Sequence, residues 1–169
     1  MKNDKTQKIV WAGLFIALTT VATMIRLPVP LSNGYVNAGD AVVIVSAFLL
    51  GPALGAIAAG LGSALADIFS GFAVYAPATL IIKALMGLAA GTILLKLKDK
   101  KPIFPAILGG ITAAIIMVSG YFAYELILYG LGGALADVIP NSIQGAFGVI
   151  AGSVLFYALL RIPYVKKTF

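Results

Sequence analysis

Residues 95–102 read Leu-Lys-Leu-Lys-Asp-Lys-Lys-Pro, a cationic block set between two long apolar runs. Such a block cannot sit in hydrocarbon, so it marks a boundary. Upstream, an apolar run extends back to Pro77; downstream, another reaches from Pro102 to about Tyr129. The remaining cations cluster in the same way. Lys2, Lys5 and Lys8 precede the first apolar stretch, and Arg161, Lys166 and Lys167 follow the last. Together the three clusters hold ten of the twelve basic residues, with only Asp4 and Asp99 against them. Between the clusters lie runs suited to an even number of crossings. The spacing predicts helices over Lys8–Met24, Asp40–Gly51, Pro52–Ser70, Pro77–Leu95, Pro102–Tyr129 and Val138–Leu160. A spanning helix uses about 20 apolar residues, so six use roughly 120 and leave only short loops. Gly51-Pro52 alone separates the second from the third, and one longer broken helix is the alternative there. All three clusters then fall on one side, which the positive-inside rule makes the cytoplasm.

Composition agrees. The 169 residues are 61% hydrophobic and 11% charged, with a mean hydropathy of +1.05. Soluble domains run near 45–50% apolar and about 25% charged. The fold expected is an all-α, six-helix integral membrane bundle, one domain over 1–169, with both termini cytoplasmic in a multi-pass prokaryotic plasma membrane. The net charge of +6 is a topology signal and implies no nucleic acid. With no Cys and no His, thiolate and imidazole metal sites and Ser/His or Cys/His nucleophile pairs are excluded. No metal or cofactor is expected. No G-x-x-x-x-G-K-[ST] phosphate loop occurs, so energy from ATP must come from another subunit. The first helix has a positive flank and an apolar centre, but Ala22-Thr23-Met24 matches a small-residue cleavage site only loosely, and retention is expected.

Ionisable groups at membrane depth cost about 2.5–3.5 kcal/mol on insertion scales, so each normally has a partner or a task. Lys83 lies six residues after Pro77, about 9 Å along a helix, on a face with Thr79, Gly87 and Gly91. Asp67 ends the third helix on its Ala59/Ser63 face. Glu125 is flanked at helical spacing by Tyr121 and Tyr129, and Asn141 and Gln144 lie one turn apart. All fall in the outer third. This describes a ligand cup open to the outer side rather than an ion path, which needs relay groups across the full thickness. Tyr35, Phe72, Tyr75, Tyr121, Phe122, Tyr124 and Tyr129 would ring its rim, suited to a flat, partly polar ligand. Residues 26–39, rich in Pro and Gly, form a connection able to act as a lid.

Plainer roles compete. Lys83 pairing with Asp67 or Glu125 would be a structural lock. Rim tyrosines also suit an interfacial belt. Asn141 is placed to cap the sixth helix after Pro140, and Asp40 to cap the second. Faces of small residues, such as Gly55/Ala59/Ser63, Gly87/Gly91 and Gly148/Gly152, suit ordinary bundle packing. Gly13 and Ala17 form a further small pair that suits docking of another membrane protein. Gly62-Ser-Ala-Leu-Ala-Asp67 is echoed by Gly132-Gly-Ala-Leu-Ala-Asp137. Both copies fall on the outer side, so they do not mark inverted transporter halves.

Tyr35-Val-Asn-Ala-Gly-Asp40, Leu50-Gly-Pro52, Gly62–Asp67, Gly71, Tyr75-Ala-Pro-Ala-Thr79 and Ile82-Lys83 carry a resemblance. Over nearly its whole length the chain resembles the substrate-binding S components of energy-coupling factor (ECF) vitamin transporters. Within them it looks like the riboflavin-transporter-related branch, which includes pyrimidine-precursor and pyridoxine-type carriers. The resemblance implies capture of a vitamin outside, association with a membrane T component and two cytoplasmic ATPase subunits, and delivery by toppling in the bilayer. It implies ligand contacts from the first outer loop and the outer ends of the fourth to sixth helices, which matches the cup, and the contacts expected are Tyr35, Asn37, Asp67, Tyr75, Thr79, Lys83, Tyr121, Glu125, Asn141 and Gln144. It places T-component docking at Gly13 and Ala17, where Gly13 departs from the usual Ala-x-x-x-Ala. A hydroxymethylpyrimidine or pyridoxine-type ligand suits the cup, with riboflavin next. A self-sufficient secondary transporter is the rival class, and lacks a midplane acid here. An intramembrane enzyme lacks any evident paired-acid motif there.

Overall fold

The structure, a computed structural model, describes residues 4–28, 35–163 and 165. The side chains of Asp4, Lys5, Leu27, Pro28 and Tyr35 lie outside that description. Four helices dominate: α1 (Asp4–Met24), α2 (Gly39–Phe69), α3 (Ala76–Lys96) and α4 (Ile103–Leu159). Each is long and apolar enough to cross a membrane. Two three-residue strands, β1 (Arg26–Pro28) and β2 (Tyr35–Asn37), pair antiparallel, with Arg26 opposite Asn37. The expected lid thus has a short β-ribbon at its base, and residues 29–34 lie outside the described residues.

Two of the helices reverse direction. α4 has 57 residues, which as a straight rod would measure about 85 Å against a hydrocarbon core near 30 Å. It is not straight. Gly130 takes φ 72° and ψ −176°, a backbone conformation essentially reserved for glycine. The arms on either side of it lie against each other: Gly110 faces Val149 and Gly145 faces Ala114. α2 does the same at Gly51, with φ 78° and ψ −177° and Pro52 directly after it, so that Gly55 lies against Ala47. The Gly51-Pro52 boundary expected from the sequence is therefore a fold-back. The second boundary differs from expectation. Helix was expected to resume at Val138, yet it resumes straight after Gly130, because one positive-φ residue reverses the chain without spending loop residues.

Small residues set the packing distances. A Cβ on Gly87 would lie 2.7 Å from the Gly55 carbonyl oxygen, and one on Gly91 2.9 Å from the Gly51 carbonyl carbon, so α3 rests on α2 backbone to backbone. With lipid as apolar as any side chain, such close approach is the main attraction available between helices. Thr20 adds a polar tie, donating to the Gly62 carbonyl at 2.9 Å from α1 to α2. The apolar core, with Val43, Ile44, Met86 and Met117 fully enclosed, fills the middle of the bundle. The Gly51 reversal, the end of α3, the start of α4 and the end of α4 share one end of it. The β-ribbon, the Gly130 reversal and the start of α3 share the other.

Gly87→Ala forces a methyl into a neighbouring backbone and should destabilise by about 1–3 kcal/mol. Gly13→Ala meets nothing within 4 Å and should be neutral to slightly stabilising, since alanine favours helix over glycine. Thermal unfolding of the two variants in detergent checks the contrast; equal melting temperatures would refute close α2–α3 contact as a source of stability.

Candidate functional site

At the β-ribbon end, a cavity opens between the helix termini. It is lined by Thr23, Asn37, Ser63, Asp67, Phe72, Tyr75, Thr79, Lys83, Tyr121, Glu125, Asp137, Asn141 and Gln144. Every residue expected from the sequence to touch ligand is in that lining except Tyr35, whose side chain lies outside the described residues.

The floor is a closed polar network. Lys83, 3% exposed, forms an ion pair with Oδ1 of Asp40, which is 1% exposed. Gln144 donates from Nε2 to the other Asp40 oxygen at 2.8 Å. Gln144 Oε1 accepts from the Asn37 backbone N–H at 2.9 Å and from Asn37 Nδ2 at 3.1 Å. Asn37 Oδ1 accepts from the Gly39 N–H at 2.8 Å. The network joins β2, the start of α2, α3 and the second arm of α4. Lys83 also lies 3.2 Å from Met117 Sδ and over the Tyr121 ring at 5.6 Å.

Three expectations are corrected here. Lys83 pairs with Asp40, not with Asp67 or Glu125; α3 lies close on α2 at Gly87 and Gly91, and Gly148 lets the second arm of α4 approach Asp40, where a Cβ would stand 2.8 Å from Asp40 Cβ. Asp40 does not cap α2; the N-cap position is Ala38, without a side-chain cap, and both Asp40 oxygens serve the network. Asn141 is no cap either, since α4 runs unbroken through Pro140 from the turn after Gly130.

The wall is aromatic. Tyr75 stands just ahead of α3, its ring centroid 6.5 Å from Tyr121, 5.7 Å from Tyr124 and 6.5 Å from Tyr129. Burial raises the Tyr75 phenol well above its ordinary range, and Tyr129 and the nearby Glu125 and Asp137 carboxyls push the same way, so it stays neutral. Tyr121 and Thr79 share a hydrogen bond of 3.0 Å. Tyr124 donates to the Val74 carbonyl. The Arg26 guanidinium lies 4.9 Å over the Phe72 ring, joining β1 to the loop before α3. Phe122, expected at the rim, instead lines an apolar groove between the α4 arms.

Thr23, Ser63 and Asp137 belong to the lining and were not expected there. Asp137, Asn141 and Gln144 follow i, i+4, i+7 spacing, and Ser63 and Asp67 follow i, i+4. The spacing is legible once helix is extended back through 131.

Lys83→Ala would strand a buried carboxylate, at a cost of about 3–5 kcal/mol. Lys83→Met with Asp40→Asn should recover much of that loss. A double-mutant cycle of melting temperatures tests the pair; additive losses would mean that Lys83 and Asp40 do not depend on each other.

Residues 3–161 match the family model of the ECF-type riboflavin transporter, S component. The chain is 38% identical over 145 residues to an uncharacterized protein of Pyrococcus woesei, covering 86% of this chain and 95% of that one. It is 30% identical over 170 residues to the thiamine precursor transporter HmpT of Lactococcus lactis subsp. cremoris (strain MG1363), covering 99% and 93%. Its fold is similar to that of the S component of a bacterial ECF transporter, with a TM-score of 0.72 at 23% identity over 94% of this chain and 98% of that one. It is also similar to the S-component for biotin from an ECF-type ABC transporter, with a TM-score of 0.74 at 15% identity over 97% and 95%. A multi-pass helical bundle with a cavity of polar floor and aromatic wall and a family match over nearly its whole length, the chain belongs to the S components of ECF-type riboflavin transporters, which are transport subunits and not enzymes.

Proposed function

We propose that the chain is a single-domain capture subunit that binds a small heteroaromatic vitamin or vitamin precursor outside the cell, a hydroxymethylpyrimidine or a pyridoxine-type compound. The observation that carries this reading is the cavity itself, walled by tyrosines, with a fixed polar floor. The thiamine-precursor transporter among its relatives points the same way. Asn37, Asp67, Tyr75, Thr79, Lys83, Tyr121, Glu125, Asn141 and Gln144 are the proposed contacts, with Tyr35 as the remaining expected one.

The orientation follows from charge. With reversals at Gly51 and Gly130, the four helices make six crossings. Lys96, Lys98, Lys100, Lys101 and Arg161 then lie at the end away from the cavity, and the positive-inside rule puts that end in the cytoplasm. Both termini follow it, and the cavity faces outward. Energy would come from a T component and two ATPase subunits. Gly13 and Ala17 support docking on α1: both are exposed, beside Val10, Leu14 and Leu18, which are exposed as well. Toppling on that partner would carry the closed cavity across.

Mass spectrometry of small molecules released from the purified chain should find a single-ring heteroaromatic compound near one per protein. An empty preparation that also ignores a panel of vitamins and precursors would refute capture. In sealed vesicles, uptake should require added T and ATPase subunits; uptake by this chain alone under an ion gradient would favour a secondary transporter.

A further inference from the structure

Between its two arms, α4 carries an open groove whose walls include Ile111, Ile115, Val118, Phe122, Val149 and Ile150. Only Ser119 and Ser142 interrupt its apolar lining. Each of these hydroxyls donates to a carbonyl one turn back in its own helix, Ile115 and Val138, at 2.7 Å. A polar ligand would find no spare donor there, whereas hydrocarbon needs none.

Helical spacing carries both walls on toward the lysine end. On the first arm, Ile111 is continued by Ile107 and Phe104, four and seven residues back; on the second, Ile150 is continued by Val154 and Tyr157, four and seven residues on. All four continuing side chains are exposed. Each track ends at a cation. Lys101 stands two residues ahead of α4; Arg161, two residues beyond it, lies 5.5 Å over the Tyr157 ring. Both cations are exposed, and neither forms an ion pair among the described residues.

Lengths fit as well. The hydrocarbon core is about 30 Å thick, so the chains of one leaflet cover about 15 Å, or roughly ten residues of helix. From Ile103, at the start of α4, that reaches past Ile111 and into the groove. A partner helix fits less well. It is about 10–12 Å across, and close approach in a membrane needs small residues along the contact. Here Ile111, Ile115 and Ile150 stand exposed on the rim. A thin, flexible chain can lie between such side chains.

We infer that the groove holds one anionic phospholipid of the inner leaflet, its headgroup at Lys101 and Arg161 and one acyl chain between the arms of α4. The choice of leaflet rests on the orientation proposed above; vitamin binding plays no part. The lipid sits on α4, apart from the docking face proposed on α1, and ties the two arms together. Two cations beside an anionic headgroup raise affinity by about 30-fold.

The test uses the full chain in detergent, with phosphatidylglycerol and phosphatidylcholine of identical acyl chains as probes. Native mass spectrometry should retain one phosphatidylglycerol per protein, at least about tenfold over phosphatidylcholine supplied in equal amount. Lys101→Gln combined with Arg161→Gln should bring that ratio close to one. Ala146→Leu fills the groove at an exposed lining position and should lower retention of both lipids alike. Equal retention by the wild type, or a ratio that survives the double substitution, would overturn the headgroup site. Retention untouched by Ala146→Leu would overturn the groove as the seat of the chain. A photo-crosslinker placed at Ile115 should give no protein adduct in cell membranes; a crosslink to another protein would make the groove a helix-docking face and overturn the lipid. The wild-type ratio needs no variant, so it decides even if a substitution prevents folding. Failure on any of these counts leaves vitamin capture standing, because no vitamin enters the measurement.

Discussion

The ion pair between Lys83 and Asp40 is the contact on which the rest of the site is arranged. Each partner is nearly sealed from solvent, and each would be costly to bury alone. Their union fixes the height of α3 against the start of α2. Gln144 then bonds the second Asp40 oxygen and, through Asn37, pins the β-ribbon to α4. Three helices, α2, α3 and α4, meet at the Asp40 carboxylate, though Lys83 and Gln144 lie 43 and 104 residues away in sequence. Such a junction leaves little freedom to the floor of the cavity, which is what a selective pocket needs.

Glycine makes that junction reachable. Gly148 lets Asp40 come close to the second arm of α4, and Gly87 and Gly91 let α3 lie on the α2 backbone. In lipid, close backbone approach replaces the hydrophobic drive as the source of association. The same residue type reverses the chain at Gly51 and Gly130. The bundle thus obtains its packing and its turns from positions without side chains, and concentrates its polar chemistry at one end. The opposite end carries Lys96, Lys98, Lys100 and Lys101, and the middle is apolar.

Much of the site was legible because helical spacing is strict. Thr79 and Lys83 share a face, as do Tyr121 and Glu125, and one cavity-lining member of each pair predicts the other. Asn141 and Gln144 were found in the same way. Asp137 was missed because residues 130–137 look like a loop, with Gly130, Gly132 and Gly133 close together. Only Gly130 has a positive φ; the others stay helical and carry the face back to Asp137. Asp40 was assigned to capping for a local reason, its place at the start of a helix. A partner 43 residues away in sequence outweighed that reason.

The sequence by itself determined the membrane class, the distribution of charge between the two ends and the faces on which polar residues would gather. These follow from hydropathy, from the cost of charge in lipid and from the helical period, all of which act locally along the chain. Only the tertiary structure decided which charges pair. That choice depends on how closely two backbones approach, and approach is set by small residues on helices that are neighbours in space and not in sequence. Lys83 could reach several acids by spacing alone; the reversal at Gly51 and the close packing of α3 on α2 at Gly87 and Gly91 set it beside Asp40, and Glu125 and Asp137 line the cavity.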